Sequence, residues 1–285
     1  MSLLKALNDP KQPLSNVEWC PPQMHMSLER SLDAWIDSNH FIRKITSLNR
    51  FVFMTDGSTG RREEQNLRHV IINLGSDADR SLIVPILTAK HPLEYCLEFA
   101  QRAYAIGFRA LVVLGGDRSD VVSRCVQHAY QLRKMIRDLV PGLTLGGWAN
   151  PHGGIKQQVE FMVDPDYSAD FYLAQIVSHY QTAGLDKFLD ECAARGVQIP
   201  GVFGVFYYHS ANPKTLGLLK AFFPVPVDEL KADFDRGCSA EEICAHSIKT
   251  LLRRGMKNIY VSNLPSADVE GRLRRIETLV STPAS

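Results

Sequence analysis

Two acidic side chains follow apolar runs that are typical of buried strands. Glu18 lies in a short apolar run that ends at two prolines, and Asp117 follows the run Ala110–Leu114 and two glycines. Glycine lets a backbone approach a ligand closely, and a carboxylate accepts hydrogen bonds from N–H donors. If the surroundings of the two carboxyl groups differ, one can donate a proton while the other stays ionised. Taken singly, each acid also fits a solvated side chain at a turn.

Polar and aromatic side chains stand at the ends of other predicted strands, namely Thr55, Thr88, Trp148, Asn150, Gln175, Tyr207 and Tyr208. Amides both donate and accept hydrogen bonds and aromatic faces stack on flat rings, so this set suits a polar heteroaromatic ligand. Gln175 carries the most weight because burying an unpaired amide is costly. Trp148 also fits an ordinary core position, and His152 also fits a plain loop. The histidines and the six cysteines show no metal-ligand spacing, so we predict no metal and reduced thiols.

Eight apolar runs alternate with segments of helical spacing along the chain. The runs cover residues 16–20, 50–55, 82–88, 110–114, 143–150, 170–175, 201–207 and 258–262. Helical spacing covers residues 27–47, 61–73, 91–106, 120–139, 154–163, 181–196 and 266–280, with a longer helical insertion at about 213–255. This alternation predicts a single (β/α)8 TIM barrel over residues 17–285, preceded by a loose N-terminal arm over residues 1–16. A doubly wound sheet is the alternative, but it rarely needs eight such units.

The composition narrows the class of protein. The 285 residues are 45% hydrophobic and 22% charged, as in ordinary soluble globular proteins, and the net charge is +1. No basic block stands out, so nucleic acid is not a predicted partner. No apolar run approaches membrane-spanning length and the N-terminus does not resemble a signal peptide, so we expect a cytoplasmic protein without a membrane partner. The chain contains neither GxGxxG nor a P-loop, the common phosphate-binding motifs.

Six short stretches occur in order along the chain. They are Val17-Glu18-Trp19-Cys20-Pro21-Pro22, Met54-Thr55-Asp56-Gly57, Leu114-Gly115-Gly116-Asp117, Leu145-Gly146-Gly147-Trp148-Ala149-Asn150-Pro151, Ala169-Asp170-Phe171-Tyr172-Leu173-Ala174-Gln175 and Ile199-Pro200-Gly201. Together they resemble the methylenetetrahydrofolate reductase family, the flavin-dependent (β/α)8 barrels of one-carbon metabolism and methionine biosynthesis. Each stretch alone is a weak signal, whereas the ordered set is specific.

The resemblance implies roles for individual residues. Glu18 would be the general acid that helps to open the five-membered ring of folate to an iminium ion, and Asp117 would bind the pterin and tune the flavin. Gln175 and Tyr208 would contact the folate. The implied contacts with the flavin, FAD, are Thr55, Gly116, Asp117, Trp148 and His152. The implied chemistry is hydride transfer from reduced flavin to the methylene carbon, for which the protein supplies orientation and a proton.

The chain also departs from the family pattern. Gly115 stands where the family has an arginine, Ile86 where it has a histidine, and residues 158–162 contain no basic side chain. Two extra residues follow near 165–168. Because phosphate binding usually relies on such charges, these departures leave the flavin affinity and the electron donor, NADH or another reductant, open.

Two classes of function therefore stand side by side. The first is a methylenetetrahydrofolate reductase-like oxidoreductase, which in either direction would interconvert 5,10-methylene- and 5-methyltetrahydrofolate, including oxidation of methyl groups released by demethylation. The second is a folate-binding barrel without flavin chemistry, either a methyltransferase or a binder. A flavin-independent, NADH-linked reductase lies between them. The expected partner is a small-molecule folate, and the sequence leaves open whether the chain forms a homo-oligomer.

Overall fold

In the computed structural model, eight parallel strands pair in chain order and close into a barrel. The structure describes residues 2–9, 16–22, 26–55, 74–75, 78–116 and 124–282. The strands are β1 (Asn16–Trp19), β2 (Phe51–Met54), β3 (Ile83–Thr88), β4 (Ala110–Leu114), β5 (Thr144–Ala149), β6 (Phe171–Ile176), β7 (Gly201–Phe206) and β8 (Ile259–Ser262). Closure is made by β8 against β1, where Asn16 pairs with Tyr260. The predicted (β/α)8 TIM barrel is thereby confirmed.

One helix precedes the strands, and the others follow them along the chain. They are α1 (Leu3–Asn8), α2 (Leu28–Ser47), α3 (Leu93–Ala105), α4 (Ala129–Leu139), α5 (Ile155–Val163), α6 (Ala183–Arg195), α7 (Pro213–Leu219), α8 (Val227–Asp235), α9 (Ala240–Arg253) and α10 (Val269–Ser281). The predicted insertion between β7 and β8 thus consists of α7, α8 and α9. The predicted helix at 61–73 lies outside the described residues. Among the helices that are described, we find none with both the length and the apolar character needed to cross a membrane.

The N-terminal segment differs from the loose arm that the sequence predicts. Residues Leu3–Asn8 form α1, and Leu3 and Leu7 are buried in the cluster that fills the barrel interior. The side-chain amide of Asn258, just before β8, donates a 2.9 Å hydrogen bond to the carbonyl oxygen of Leu7. The sequence does not predict this helix, because the segment contains several prolines and the two buried leucines of α1 are too few to give a periodic apolar signal.

Local signals in the sequence explain several helix ends. Ser239 caps α9 in a reciprocal capping box with Glu242, whose carboxylate accepts a 2.7 Å hydrogen bond from the backbone N–H of Ser239. Gly196 ends α6 at φ +68°, a conformation that glycine adopts without steric cost. The sequence predicts the end of α6 at this glycine, and the structure confirms it.

Side chains alternate between two apolar layers along each strand. One layer lies between the barrel and the helices and includes Val113, Phe203 and Tyr207. The other fills the barrel interior and includes Phe53 and Tyr260. Because side chains at the strand ends keep this alternation, it decides which of them reach the mouth of the barrel.

Three seams between neighbouring strands carry a glycine opposite an aromatic residue. The register pairs are Gly146 with Phe171, Tyr172 with Gly201, and Gly204 with Tyr260. A Cβ atom added at any of these glycines would stand 2.3–2.5 Å from the nearest atom of the partner ring. The glycines therefore provide the volume that the rings occupy, two inside the barrel and one outside.

Candidate functional site

Glu18 lies near the carboxyl end of β1, with a half-buried side chain at the mouth of the barrel. Burial raises the pKa of its carboxyl group above the ordinary value, and a hydrogen bond with the Ser262 side chain lowers it to a smaller extent. Ser262 is the last residue of the neighbouring strand β8. A carboxyl group in these surroundings keeps its proton to a higher pH than a solvated glutamate and can act as a proton donor.

The floor beneath Glu18 is aromatic. Phe53 is the register partner of Glu18 on β2, and the ring centroid of Tyr260 lies 6.1 Å from that of Phe53. The Tyr260 hydroxyl donates a 2.9 Å hydrogen bond to the carbonyl oxygen of Ala174. Burial raises the pKa of Tyr260, and the Glu18 charge adds to this effect. The apolar floor explains why ionisation of Glu18 is disfavoured.

Glu18 lines a cavity of about 280 Å³ between β1, α2 and the segment after β8. Cys20, Asp37, Ser38 and Asn263 are among its other lining residues. A separate and larger cavity lies across the mouth. The structure therefore distributes the predicted site residues over more than one cavity.

The larger cavity, called here the β4–β5 cavity, has a volume of about 710 Å³ and opens at the carboxyl ends of β4 and β5. Three of the predicted residues, Gly116, Trp148 and Gln175, line it together with Asn150. None of the described residues that line it is aspartate or glutamate. An electropositive cavity with an indole and several amides suits a planar ligand that carries negative charge.

Two arginines supply the positive charge of the β4–β5 cavity. Arg124 donates a hydrogen bond to the Gly116 carbonyl oxygen, and its Nη1 lies 3.0 Å from the position that a Cβ on Gly115 would take. A guanidinium thus lies beside Gly115, where the family pattern places an arginine. Arg133 reaches the cavity from α4 and is only 3% exposed. Neither arginine stands out in the sequence, because single basic residues near a helix are usually solvated.

The loop between β5 and α5 borders the same cavity. The Gln158 side chain is hydrogen-bonded to the backbone of this loop. Its Oε1 accepts a 2.6 Å hydrogen bond from the N–H of Asn150, and its Nε2 donates to the carbonyl oxygens of Asn150 and Gly153. His152, a predicted flavin contact, is hydrogen-bonded through Nε2 to the Ile176 carbonyl oxygen at 2.7 Å. It lines a different cavity of about 560 Å³ with Tyr180.

Gln175 is held within the chain by both ends of its amide. Its Oε1 accepts a 2.9 Å hydrogen bond from the N–H of Ile176, and its Nε2 donates a 3.2 Å hydrogen bond to the carbonyl oxygen of Phe222. The register of β6 with β7 shifts between Ala174 and Ile176, at this residue. One N–H of the amide and one lone pair of its oxygen remain for a ligand.

The two tyrosines after β7 point in opposite directions. Tyr207 packs between the barrel and the helices, where its hydroxyl accepts a 2.7 Å hydrogen bond from Arg272, so it does not belong to the mouth. Tyr208 belongs to the interior cluster, with its ring centroid 4.9 Å from that of Phe206. Its hydroxyl is buried and has no hydrogen-bond partner among the described residues.

The remaining predicted residues lie around the mouth or outside the described part of the chain. Thr55 follows β2, and its backbone N–H donates a 3.0 Å hydrogen bond to the Trp19 carbonyl oxygen. Gly116 has φ +76°, and a Cβ there would stand 3.4 Å from the Cβ of Thr88. Asp117 lies outside the described residues, so its predicted roles stay predictions.

Comparisons with known proteins agree with the barrel. No family model and no curated protein matches the chain. A solved structure of an uncharacterised protein from Clostridium thermocellum, which binds two copies of 5-methyl-5,6,7,8-tetrahydrofolic acid, superposes with a TM-score of 0.66 at 16% identity, covering 98% of this chain and 99% of that chain. At this identity the likeness establishes the shared fold alone. QR15, an aldolase, superposes with a TM-score of 0.49 at 11% identity, covering 94% of this chain and 98% of that chain. This TM-score is too low to support any inference about the chain.

Proposed function

We propose that this chain binds a reduced folate at the mouth of the barrel and transfers a hydride to or from its one-carbon unit, interconverting 5,10-methylene- and 5-methyltetrahydrofolate. The observation that carries the proposal is Glu18, a carboxyl group on an aromatic floor whose burial favours the protonated form. A plain folate binder has no need of a proton donor there. The uncharacterised barrel from Clostridium thermocellum, which binds 5-methyltetrahydrofolate on the same fold, supports the folate as ligand.

Glu18 would donate its proton to the folate nitrogen that leaves the one-carbon unit, which opens the ring to the iminium ion. Ser262 holds the carboxyl group from the neighbouring strand. Gln175, with one donor and one acceptor site left, would hold the pterin edge. The aromatic floor lies beneath the carboxyl group, and burial there favours its protonated form.

FAD fits the β4–β5 cavity by its chemistry. Trp148 and Gly116 offer a flat face and a close backbone approach, and the described lining carries two guanidinium groups and no carboxylate. Arg124 and Arg133 would thus take over the charge that the sequence lacks at residues 158–162. Bound flavin would supply the hydride acceptor or donor that the side chains of the chain cannot provide.

The second candidate is a folate-binding barrel without flavin. The observation in its favour is the start of α5, where Gln157 and Gln158 line the cavity and no lysine or arginine does. Gln158 is also fully engaged with the loop that precedes α5. In this case the protein would bind 5-methyltetrahydrofolate but would exchange no hydride through a flavin.

The visible absorption spectrum of the purified protein separates the two candidates. After loading with FAD, we expect flavin bands that bleach on anaerobic addition of 5-methyltetrahydrofolate. Bands that persist unchanged, or the absence of bound flavin, would contradict the redox proposal. Retained binding of 5-methyltetrahydrofolate in calorimetry would then favour the second candidate.

Glu18→Gln tests the proton donor. We expect it to retain folate binding while losing methylene reduction by about 10²-fold or more, the usual contribution of a general acid. In the wild type, reduction should decline as the pH rises through the raised pKa of Glu18, because the protonated form is the active one. The control is Glu160→Gln, the same change at an exposed position on α5. Equal rates in Glu18→Gln and the control would remove Glu18 from the mechanism.

A further inference from the structure

Strand β6 contains one extra residue relative to its neighbour β7, and that residue is Gln175. Ala174 pairs with Phe203 of β7, and Ile176 pairs with Gly204, the next residue along β7. Gln175 therefore stands between them without a register partner on that strand. An extra residue of this kind is a β-bulge, which re-aims side chains and is over-represented next to functional sites.

The bulge changes the order in which side chains of β6 face the two apolar layers. Leu173 and Ile176 both belong to the interior cluster, whereas Ala174 and Val177 both belong to the layer between the barrel and the helices. Strict alternation would place residues three positions apart in opposite layers. The extra residue accounts for this pattern, so the conformation of the bulge decides where the Gln175 side chain points.

The Tyr260 hydroxyl reaches this bulge from β8, two strands away. It donates a 2.9 Å hydrogen bond to the carbonyl oxygen of Ala174, the residue before Gln175. On the intervening strand β7 the register partner of Tyr260 is Gly204, where an added Cβ would stand 2.4 Å from the hydroxyl oxygen. The glycine therefore lets the phenol pass across β7 and reach β6.

The bulge is held from two sides. Tyr260 is 1% exposed and burial raises the pKa of its phenol well above the usual range, so the hydroxyl keeps its proton and stays a donor at neutral pH. The Gln175 amide is fixed on the other side by the Ile176 N–H and the Phe222 carbonyl oxygen. Because ladder hydrogen bonds are disrupted at a bulge, these contacts decide its geometry.

We infer that Tyr260 is a positioning residue for the proposed folate site: its hydroxyl fixes the bulge of β6, and the bulge aims the Gln175 amide at the pterin edge. A pterin edge carries N–H groups next to a carbonyl oxygen, which one remaining donor and one remaining acceptor site of an amide can match. The identity of the ligand rests on the proposed function. Tyr260 acts through Gln175 and is assigned no contact with the reacting atoms.

Tyr260→Phe removes only the hydroxyl and tests the inference. We expect it to bind 5-methyltetrahydrofolate about three- to tenfold more weakly in calorimetry, the range of one lost hydrogen bond. Partial unfolding would lower the number of binding sites in this measurement rather than the affinity. The matched control is Tyr207→Phe, which also removes a hydrogen-bonded hydroxyl from a buried tyrosine, but in the layer outside the barrel. The control should bind the folate as the wild type does.

A double-mutant cycle with Gln175→Ala separates positioning from a general structural effect. Gln175→Ala should itself weaken folate binding by about tenfold. In that background Tyr260→Phe should weaken binding by less than about twofold, because the side chain that it positions is gone. An equal loss in both backgrounds would show that Tyr260 does not act through Gln175 and would overturn the inference. Wild-type affinity in Tyr260→Phe would overturn it as well.

NMR with selective labelling of the glutamine side-chain amides tests the positioning without folate. The resonance pair that is missing from Gln175→Ala identifies the Gln175 amide. This pair should shift in Tyr260→Phe and keep its position in Tyr207→Phe, and an unchanged position in Tyr260→Phe would contradict the inference. If the wild type binds no folate while the Gln175 resonances shift as expected, the proposed function is refuted and the support of the bulge by Tyr260 is retained.

Discussion

Replacement of Gly204 by alanine tests whether the glycines opposite aromatic rings are structural requirements of the barrel. An added Cβ would stand 2.4 Å from the Tyr260 hydroxyl oxygen, 2.5 Å from its Cζ atom and 2.9 Å from the Ile176 Cδ1 atom. Tyr260 is 1% exposed and its hydroxyl is hydrogen-bonded to Ala174, so the ring has no free space to move into. The clash must therefore be relieved by displacing buried groups.

The expected cost follows from these contacts. Overpacking a well-packed interior costs about 1–3 kcal/mol, and loss of the hydrogen bond to Ala174 adds about 1 kcal/mol. We therefore expect Gly204→Ala to lower the free energy of unfolding by about 2–4 kcal/mol. At roughly 2 °C per kcal/mol for a chain of this size, the melting temperature should drop by about 4–8 °C. Thermal unfolding followed by circular dichroism measures this change.

Gly217→Ala is the matched control, because the same Cβ at Gly217 would meet no atom within 4 Å. Gly217 is exposed within α7, where alanine is the better helix former, so this variant should gain up to about 1 kcal/mol. Opposite signs for the two alanine variants are the critical result. If Gly204→Ala unfolds at the temperature of the wild type, the volume argument for all three glycine–aromatic pairs is wrong.

Two further predictions concern the N-terminal helix and a half-buried histidine. Leu7→Ala should lower the free energy of unfolding by about 2–4 kcal/mol in denaturant titration, because Leu7 is only 3% exposed. The control is Leu218→Ala, at 73% exposure, which should change the free energy of unfolding by less than about 0.5 kcal/mol. Equal effects of the two substitutions would show that α1 contributes nothing to stability. His179 has its pKa lowered to about 4 by burial and by His246, so the folded protein should lose stability as the pH falls from 6.5 towards 4, where the unfolded state binds the proton more readily. His179→Gln should lose less stability over that pH range, and an unchanged pH dependence in unfolding experiments would exclude His179 as the cause.

Most of the fold could be predicted from the sequence because a parallel barrel leaves a simple pattern. Strands buried on both faces form continuous apolar runs, and β4 is found over Ala110–Leu114, the predicted range. Turn residues mark the ends of the other strands in the sequence, and the predicted strand ends lie within one or two residues of the observed ones. Helix α1 was missed because its packing depends on Asn258, 251 positions away in the chain.

The candidate site was predictable only in part. The positions of Glu18, Trp148 and Gln175 at the mouth were predictable because they stand at strand ends, which a barrel brings to one face, while their roles stay predictions. The separation of Tyr207 from Tyr208 follows from strand alternation, which the sequence could have supplied. Arg133 and Tyr167 could not be found, because their contact joins residues 34 positions apart and nothing local distinguishes Arg133 from a solvated basic residue.

The glycine–aromatic pairs also bear on how this barrel can change over generations. At the seam between β7 and β8, Gly204 and Tyr260 share one volume, so a side chain at one position requires a smaller residue at the other. If one residue of a pair is substituted before the other, the single variant is less stable than its parent. Selection removes such a variant unless the free energy of unfolding of the parent lies well above the threshold for function. We therefore expect divergent relatives to keep both members of a pair or to replace both. Positions 146 and 171, and positions 172 and 201, should be inherited in the same way.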